Sequence, residues 1–216
     1  GLPAIYSLFS KVGSEMAAEC ESHGHVPTIA GMNGIVRGDR ACVGFIGAHA
    51  DKCLRFLQLL CEGHNKHMQE YVRWQGKTST DLVTCTADFL AAVSRHVCPA
   101  TMGLVTQCVD SLIEFVQNPC YANQKGLVDT QLPHVLHNLL QMTSDLDAEY
   151  DDQSDYAEMV STLKTKSVTL LLSLLERVDD PFVPQRILNA LEIDKLIGIM
   201  NALRLDYLGE DAEEGR

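Results

Sequence analysis

Residues 53–75 read Cys-Leu-Arg-Phe-Leu-Gln-Leu-Leu-Cys-Glu-Gly-His-Asn-Lys-His-Met-Gln-Glu-Tyr-Val-Arg-Trp-Gln, and their spacing decides the fold. Cys53, Leu54, Leu57, Leu60 and Cys61 recur every three or four residues, the period of one buried helix face, while Lys52, Arg55, Gln58 and Glu62 fall off it. Gly63 follows the last apolar position, where a residue without a β-carbon ends a helix most easily. Asn65 is placed to cap a second helix with Met68, Tyr71 and Val72 inward. The stretch therefore predicts a helix hairpin. Leu60→Asp is expected to unfold the helical body, because the change puts an unpaired charge on the inner face.

The helical period continues outward on both sides. Leu2, Ile5, Leu8, Phe9 and Val12 predict a helix over residues 1–22, followed by a linker over 23–47 that holds six glycines in 25 residues. After the hairpin, Ser79 or Thr80 is a candidate cap for a helix with Leu82, Cys85, Phe89, Val93 and Val97 inward. A further helix at about 101–117 carries Met102, Val105, Cys108, Val109, Leu112, Phe115 and Val116, and Asn118-Pro119 ends it. The next is expected over 127–142, with Pro133 either kinking it or marking its first turn. Seven acids between Asp145 and Glu158, with no counter-charge, predict a solvated loop. The longest helix then runs to about Leu175, a short one begins at Pro184, and a last one carries Ile193, Leu196, Ile197, Met200 and Leu203. Only 35–36 and 43–46 hint at strand, and neither has an alternating partner.

The expected fold is all-α, built of stacked antiparallel helix hairpins as an armadillo-like α-solenoid segment or an irregular helical bundle. The expected organisation is an N-terminal helix and Gly-rich linker (1–47), a helical domain (48–208) with an acidic loop at about 143–156, and an acidic tail (209–216).

With 216 residues, 46% apolar and 21% charged, the chain can bury a sizeable core. A net charge of −12 argues against nucleic acid and anionic membrane surfaces as partners, since both require a positive face. The longest nearly pure apolar run, Val168 to Leu175, is far too short to cross a bilayer. The first residue is Gly and no basic-then-apolar leader follows it, so the chain reads as a piece of something longer. Eight scattered cysteines with no Cys-x-x-Cys pair suit reduced thiols in a cytosolic domain.

Residues 59–75, Leu-Leu-Cys-Glu-Gly-His-Asn-x-x-x-Gln-x-Tyr-x-Arg-x-Gln, resemble a helical region of the intracellular calcium-release channels, the inositol trisphosphate and ryanodine receptors. Val83 to Leu90, Ser111 to Gln124 and Leu170 to Arg177 follow in the same order, so that the resemblance spans roughly 53–205. The residues that carry it, expected to serve structure and interfaces, are Cys61, Glu62, His64, Asn65, Gln69, Tyr71, Arg73, Gln75, Gln117, Pro119, Cys120, Asn123 and Gln124. The resemblance implies a cytosolic regulatory segment on the endoplasmic reticulum membrane, contacting other domains and subunits of a tetrameric channel and coupling ligand-binding domains to the pore. A non-channel scaffold that borrowed the module is the alternative.

Other chemistries find little support. Cys61, His64 and His67, or His134 and His137, share a metal-like interval, but a structural zinc site needs four closed ligands and Gly63 interrupts the first group. His64 is better read as part of a polar turn with Glu62 and Asn65. An EF-hand beginning at Asp145 has Tyr150 where glycine is needed and Tyr156 where a bidentate glutamate is needed. No phosphate-cradling loop, nucleophile elbow or cofactor motif occurs, so neither an enzyme nor a cofactor is expected. Trp74 is expected to be half-buried, while the amides around Pro119 are expected to cap helix ends.

Overall fold

The computed structural model describes residues 2–22, 40–77, 79–143, 153–194 and 197, which are all-α with no strand among them. The helices are α1 (Leu2–Ser22), α2 (Arg40–Cys61), α3 (Lys66–Arg73), α4 (Leu82–Val93), α5 (Met102–Val116), α6 (Tyr121–Val128), α7 (Leu132–Leu140), α8 (Gln153–Leu175) and α9 (Phe182–Ala190). Among the described residues, no helix is long and apolar enough to cross a membrane.

Each helix packs on the one three places further along the chain. α1 lies on α4 and α4 on α7, α2 on α5 and α5 on α8, α3 on α6 and α6 on α9. That arrangement is a solenoid of three-helix layers, armadillo-like, and not an irregular bundle. Within a layer α1 pairs with α2, α4 with α5 and α7 with α8, while a short helix closes the layer. One continuous core runs from Phe9 and Val12 through Leu54, Leu57, Leu90, Leu112 and Leu136 to Ile187. Phe9 stacks on Phe89 at 4.9 Å between ring centres, which joins α1 to the body.

The inner faces read from α4 and α5 are buried as expected. Their cap is not the expected one: Asp81 Oδ1 accepts the Val83 and Thr84 N–H groups at 3.0 Å. Ser79 instead ties the preceding turn, its hydroxyl 3.2 Å from Arg73 O. An aspartate satisfies two orphan donors and meets the helix dipole with a full charge, so it prevails over the hydroxyls.

Each of the three layers turns at the same place. Two residues beyond the ends of α2, α5 and α8 stand Gly63 (φ +70°), Asn118 (φ +64°) and Arg177 (φ +48°). The left-handed turn is free for glycine and tolerable for asparagine, and it costs a residue such as arginine about 1–2 kcal/mol.

Several expectations need correction. The Gly-rich linker does not extend to Gly47, because α2 begins at Arg40 and runs through Gly44 and Gly47. The helix expected over 127–142 is two, α6 and α7, parted at Asp129 to Gln131, and Pro133 lies in the first turn of α7, where its missing N–H is harmless. Gln153 to Glu158, part of the stretch expected as an acidic loop, belong to α8. Tyr71 and Trp74 do not turn inward but are 50% and 69% exposed, and Leu60 is only half-buried. Residues 144–152, most of the expected last helix and the acidic tail lie outside the described residues.

Candidate functional site

The polar residues singled out in 59–75 and 111–124 meet at the joint between layers. α3 is two turns long, and its inner face holds only Gln69 and Val72. α6 places Asn123, Gln124, Leu127 and Val128 inward. Burying three amides in an apolar body requires acceptors, and the ends of the long helices supply them.

The end of α5 shows how fully this is done. Its last four carbonyls have no partner within the helix. Ile113 O accepts the Gln117 N–H and Val116 O the Cys120 N–H, both at 3.0 Å. Glu114 O accepts Gln69 Nε2 at 2.8 Å, and Phe115 O accepts Asn123 Nδ2 at 2.8 Å. Gln69 Nε2 also donates to Gln117 O at 2.9 Å, and Asn123 Nδ2 to Gln69 O at 3.0 Å. Every carbonyl is satisfied, two of them from neighbouring short helices.

The pattern repeats one layer on. Gln124 Nε2 of α6 donates to Ser173 O at 2.9 Å and Glu176 O at 3.0 Å at the end of α8. Gln69 and Gln124 thus hold matching places: each is the fourth residue of a short helix, and each spans a carbonyl near the end of the next layer's long helix and the one just past it. The amide oxygens of Gln69, Asn123 and Gln124 are buried without a partner, so the side chains act here as donors alone.

Arg73 reinforces the joint, its Nη1 donating to Ala122 O on α6 while Nε lies 3.8 Å from Asp81 Oδ2. A β-carbon at Gly126 would sit 3.3 Å from Arg73 Nη2, so the glycine lets the guanidinium lie against α6. Gln75 braces the α3–α4 turn, accepting Thr80 N–H at 2.6 Å and donating to Tyr71 O. Asn65 caps α3 as expected, through Met68 N–H at 3.3 Å. His64 is exposed and makes no hydrogen bond with Glu62 or Asn65, because its left-handed backbone turns it outward. Glu62 is exposed, Pro119 is half-buried, and Cys120 is buried with its carbonyl accepting the Asn123 and Gln124 N–H groups at 2.9 Å.

The acceptors Glu114, Phe115, Ser173 and Glu176 were not legible in sequence, because they act through backbone carbonyls. Gly126 could have been found, as a glycine inside a helix signals a close approach. Among the described residues, no three His, Cys, Asp or Glu side chains gather so as to hold a metal ion.

Six cysteines, Cys53, Cys61, Cys85, Cys98, Cys108 and Cys120, are free thiols. Desolvation pushes Cys61 and Cys85 up to about 12, with nearby acids adding to it, and raises Cys108 and Cys120. The thiolate is the reactive form, so these four are expected to stay inert to a thiol reagent at neutral pH until the chain unfolds. The same shifts give a sign for stability. Above the ordinary value of 9.0 the unfolded chain loses thiol protons that the folded chain keeps, so stability is expected to fall as pH rises toward about 12. Denaturant melts across that range, compared with a Cys61→Ala, Cys85→Ala variant, check it.

The family model described as RyR and IP3R Homology associated matches residues 48–140, which contain α3 to α7 and the α3–α5–α6 joint. The inositol 1,4,5-trisphosphate receptor itr-1 of Caenorhabditis elegans is 30% identical over an alignment of 158 residues covering 65% of this chain. The chain spans about 5% of that receptor's length. Residues 48–140 therefore match the RyR and IP3R Homology associated family model, and the chain is similar over most of its length to a short part of an inositol 1,4,5-trisphosphate receptor.

Proposed function

We propose that this chain is a cytosolic regulatory segment of an intracellular ligand-gated calcium-release channel, non-catalytic, and that it couples ligand-binding domains to the pore. The observation that carries the reading is the family match over residues 48–140, which include the α3–α5–α6 joint. A coupling element must move as a unit, and the joint favours that. Gln69 and Gln124 each bind the backbone of the next layer, so layers cannot slide without breaking buried hydrogen bonds. The parent on this reading is a tetramer in the endoplasmic reticulum membrane, with this segment on the cytosolic face against neighbouring domains.

The test uses the full-length parent in permeabilised cells that lack other release channels. Gln124→Met is expected to leave inositol trisphosphate binding unchanged while cutting evoked calcium release severalfold at equal protein abundance. Unchanged release would end the coupling reading. A parent that supports no calcium release, with or without the substitution, would make the chain a scaffold module instead.

A further inference from the structure

Between Ser161 and Leu175 every exposed residue of α8 is serine, threonine, valine or leucine, so about four turns of its outer face carry no charge. Val168, Leu172 and Leu175 share that face at helical spacing and are 44%, 64% and 38% exposed. Thr165 and Thr169 turn their hydroxyls back onto Ser161 O and Thr165 O at 3.0 Å, so the donors are satisfied within the helix. The lysines of this stretch do not serve the face: Lys164 is half-buried, and Lys166 Nζ is held by both Asp110 oxygens at 2.6 Å. A face left to water in a chain of net charge −12 has no need to be both uncharged and apolar.

The neighbouring layer shows what such a face does. Aligned on the left-handed turns at Asn118 and Arg177, Val168, Leu172 and Leu175 stand where α5 has Val109, Ile113 and Val116. Contacts between layers fix that register: Gln107 of α5 donates back to Gln58 of α2 at 2.8 Å, and Lys166, in the matching place on α8, reaches back to Asp110 of α5. α5 lies between α2 and α8 and buries all three positions. Within this row α8 has a neighbour on one side only among the described residues, and it exposes them.

We propose that this face seats a further long helix of the same polypeptide, outside the described residues, which lies on α8 as α8 lies on α5. Its inner stripe is leucine, isoleucine or valine without charge. The place of Asp110, which holds the next layer's lysine, is taken in α8 by Thr169, so no cation is called for. A solenoid end that faces water carries a polar outer face, and this part of α8 does not. A second copy stacked end to end would bring the exposed side of α2, where Lys52 and Arg55 stand beside Phe56 and Leu59, and would bury those cations without a counter-charge. An anionic membrane requires cations on the face that meets it. The proposal rests on the chain being a segment of a longer polypeptide, and not on that polypeptide being a channel.

The test places the photo-cross-linker benzoylphenylalanine at position 172 of the full-length parent. Irradiation is expected to join it to a segment of the same chain that repeats leucine, isoleucine or valine every three or four residues, read by mass spectrometry of the digested monomer. Val168→Lys with Leu172→Lys is expected to leave the thermal midpoint of the 216-residue chain unchanged, yet to speed limited proteolysis of the parent severalfold. The absence of any cross-link overturns the proposal, as does one formed only to a second copy, to another protein or to lipid. So does a lysine pair that the parent tolerates as well as the 216-residue chain does, or one that unfolds both. These readouts need no calcium release, so a parent that releases none fails the channel reading and leaves this one standing.

Discussion

Leu112→Asp is expected to abolish the cooperative thermal transition of this chain. Leu112 is fully buried on α5, the helix that packs on α2 to one side and α8 to the other. A carboxylate there has no donor to pair with and no path to water, a cost of several kcal/mol against a total stability of about 5–15 kcal/mol. Because α5 is the middle of its row, the loss separates both outer layers from the central one. Leu112→Ala, which leaves only a cavity, is expected to cost about 2–5 kcal/mol and keep a two-state melt. Leu60→Asp is the milder change, since Leu60 is half-buried and a carboxylate at its position can reach solvent. Far-ultraviolet circular dichroism melts of the three variants decide the matter. A cooperative Leu112→Asp melt near the parent's midpoint would mean that α5 is not central.

The long helices were readable from the sequence for a plain physical reason: they bury enough leucine, valine and phenylalanine for period alone to locate their inner faces. Leu82, Phe89, Val105, Leu112 and Phe115 all lie where spacing puts them. The short helices obey another rule. In α6 the inward positions begin with Asn123 and Gln124, so a search for apolar period passes over it and starts a helix at Leu127. In α3 the spacing suggests Met68, Tyr71 and Val72 as an inner face, yet the buried places of this two-turn helix are filled by Gln69 and Val72. Those amides are buried because helix-end carbonyls lie opposite them, and an acceptor on another helix is invisible in a linear pattern. The family motif did mark Gln69, Asn123 and Gln124 as a set, but not what they hold. The extension of α2 back to Arg40 was hidden by Gly44 and Gly47, which a helix tolerates at about 1 kcal/mol each.

The role of the amides can be separated from mere packing by the charge state of a replacement. Gln124→Met keeps the size of the side chain and removes both donations to Ser173 O and Glu176 O. Two carbonyls lose partners, while the partnerless amide oxygen also disappears, so the net loss is expected to be about 1–3 kcal/mol and independent of pH. Gln124→Glu differs by one group, yet it aims a carboxylate at two carbonyls on the negative end of α8. Burial and those carbonyls both favour the protonated acid, so the introduced carboxyl's pKa rises on folding. Stability is then expected to be nearest the parent's below the usual carboxylate range, where the acid can still donate one hydrogen bond, and to fall as pH rises through about 4.3 and beyond. At neutral pH the variant is expected to lose more than Gln124→Met, by several kcal/mol. Denaturant melts of both variants at acidic and neutral pH measure the difference, with Gln69→Glu as the matching change one layer back. If Gln124→Glu were pH-independent and no worse than Gln124→Met, the side chain would be a filler. A joint made of donors is what gives the solenoid layers a fixed register.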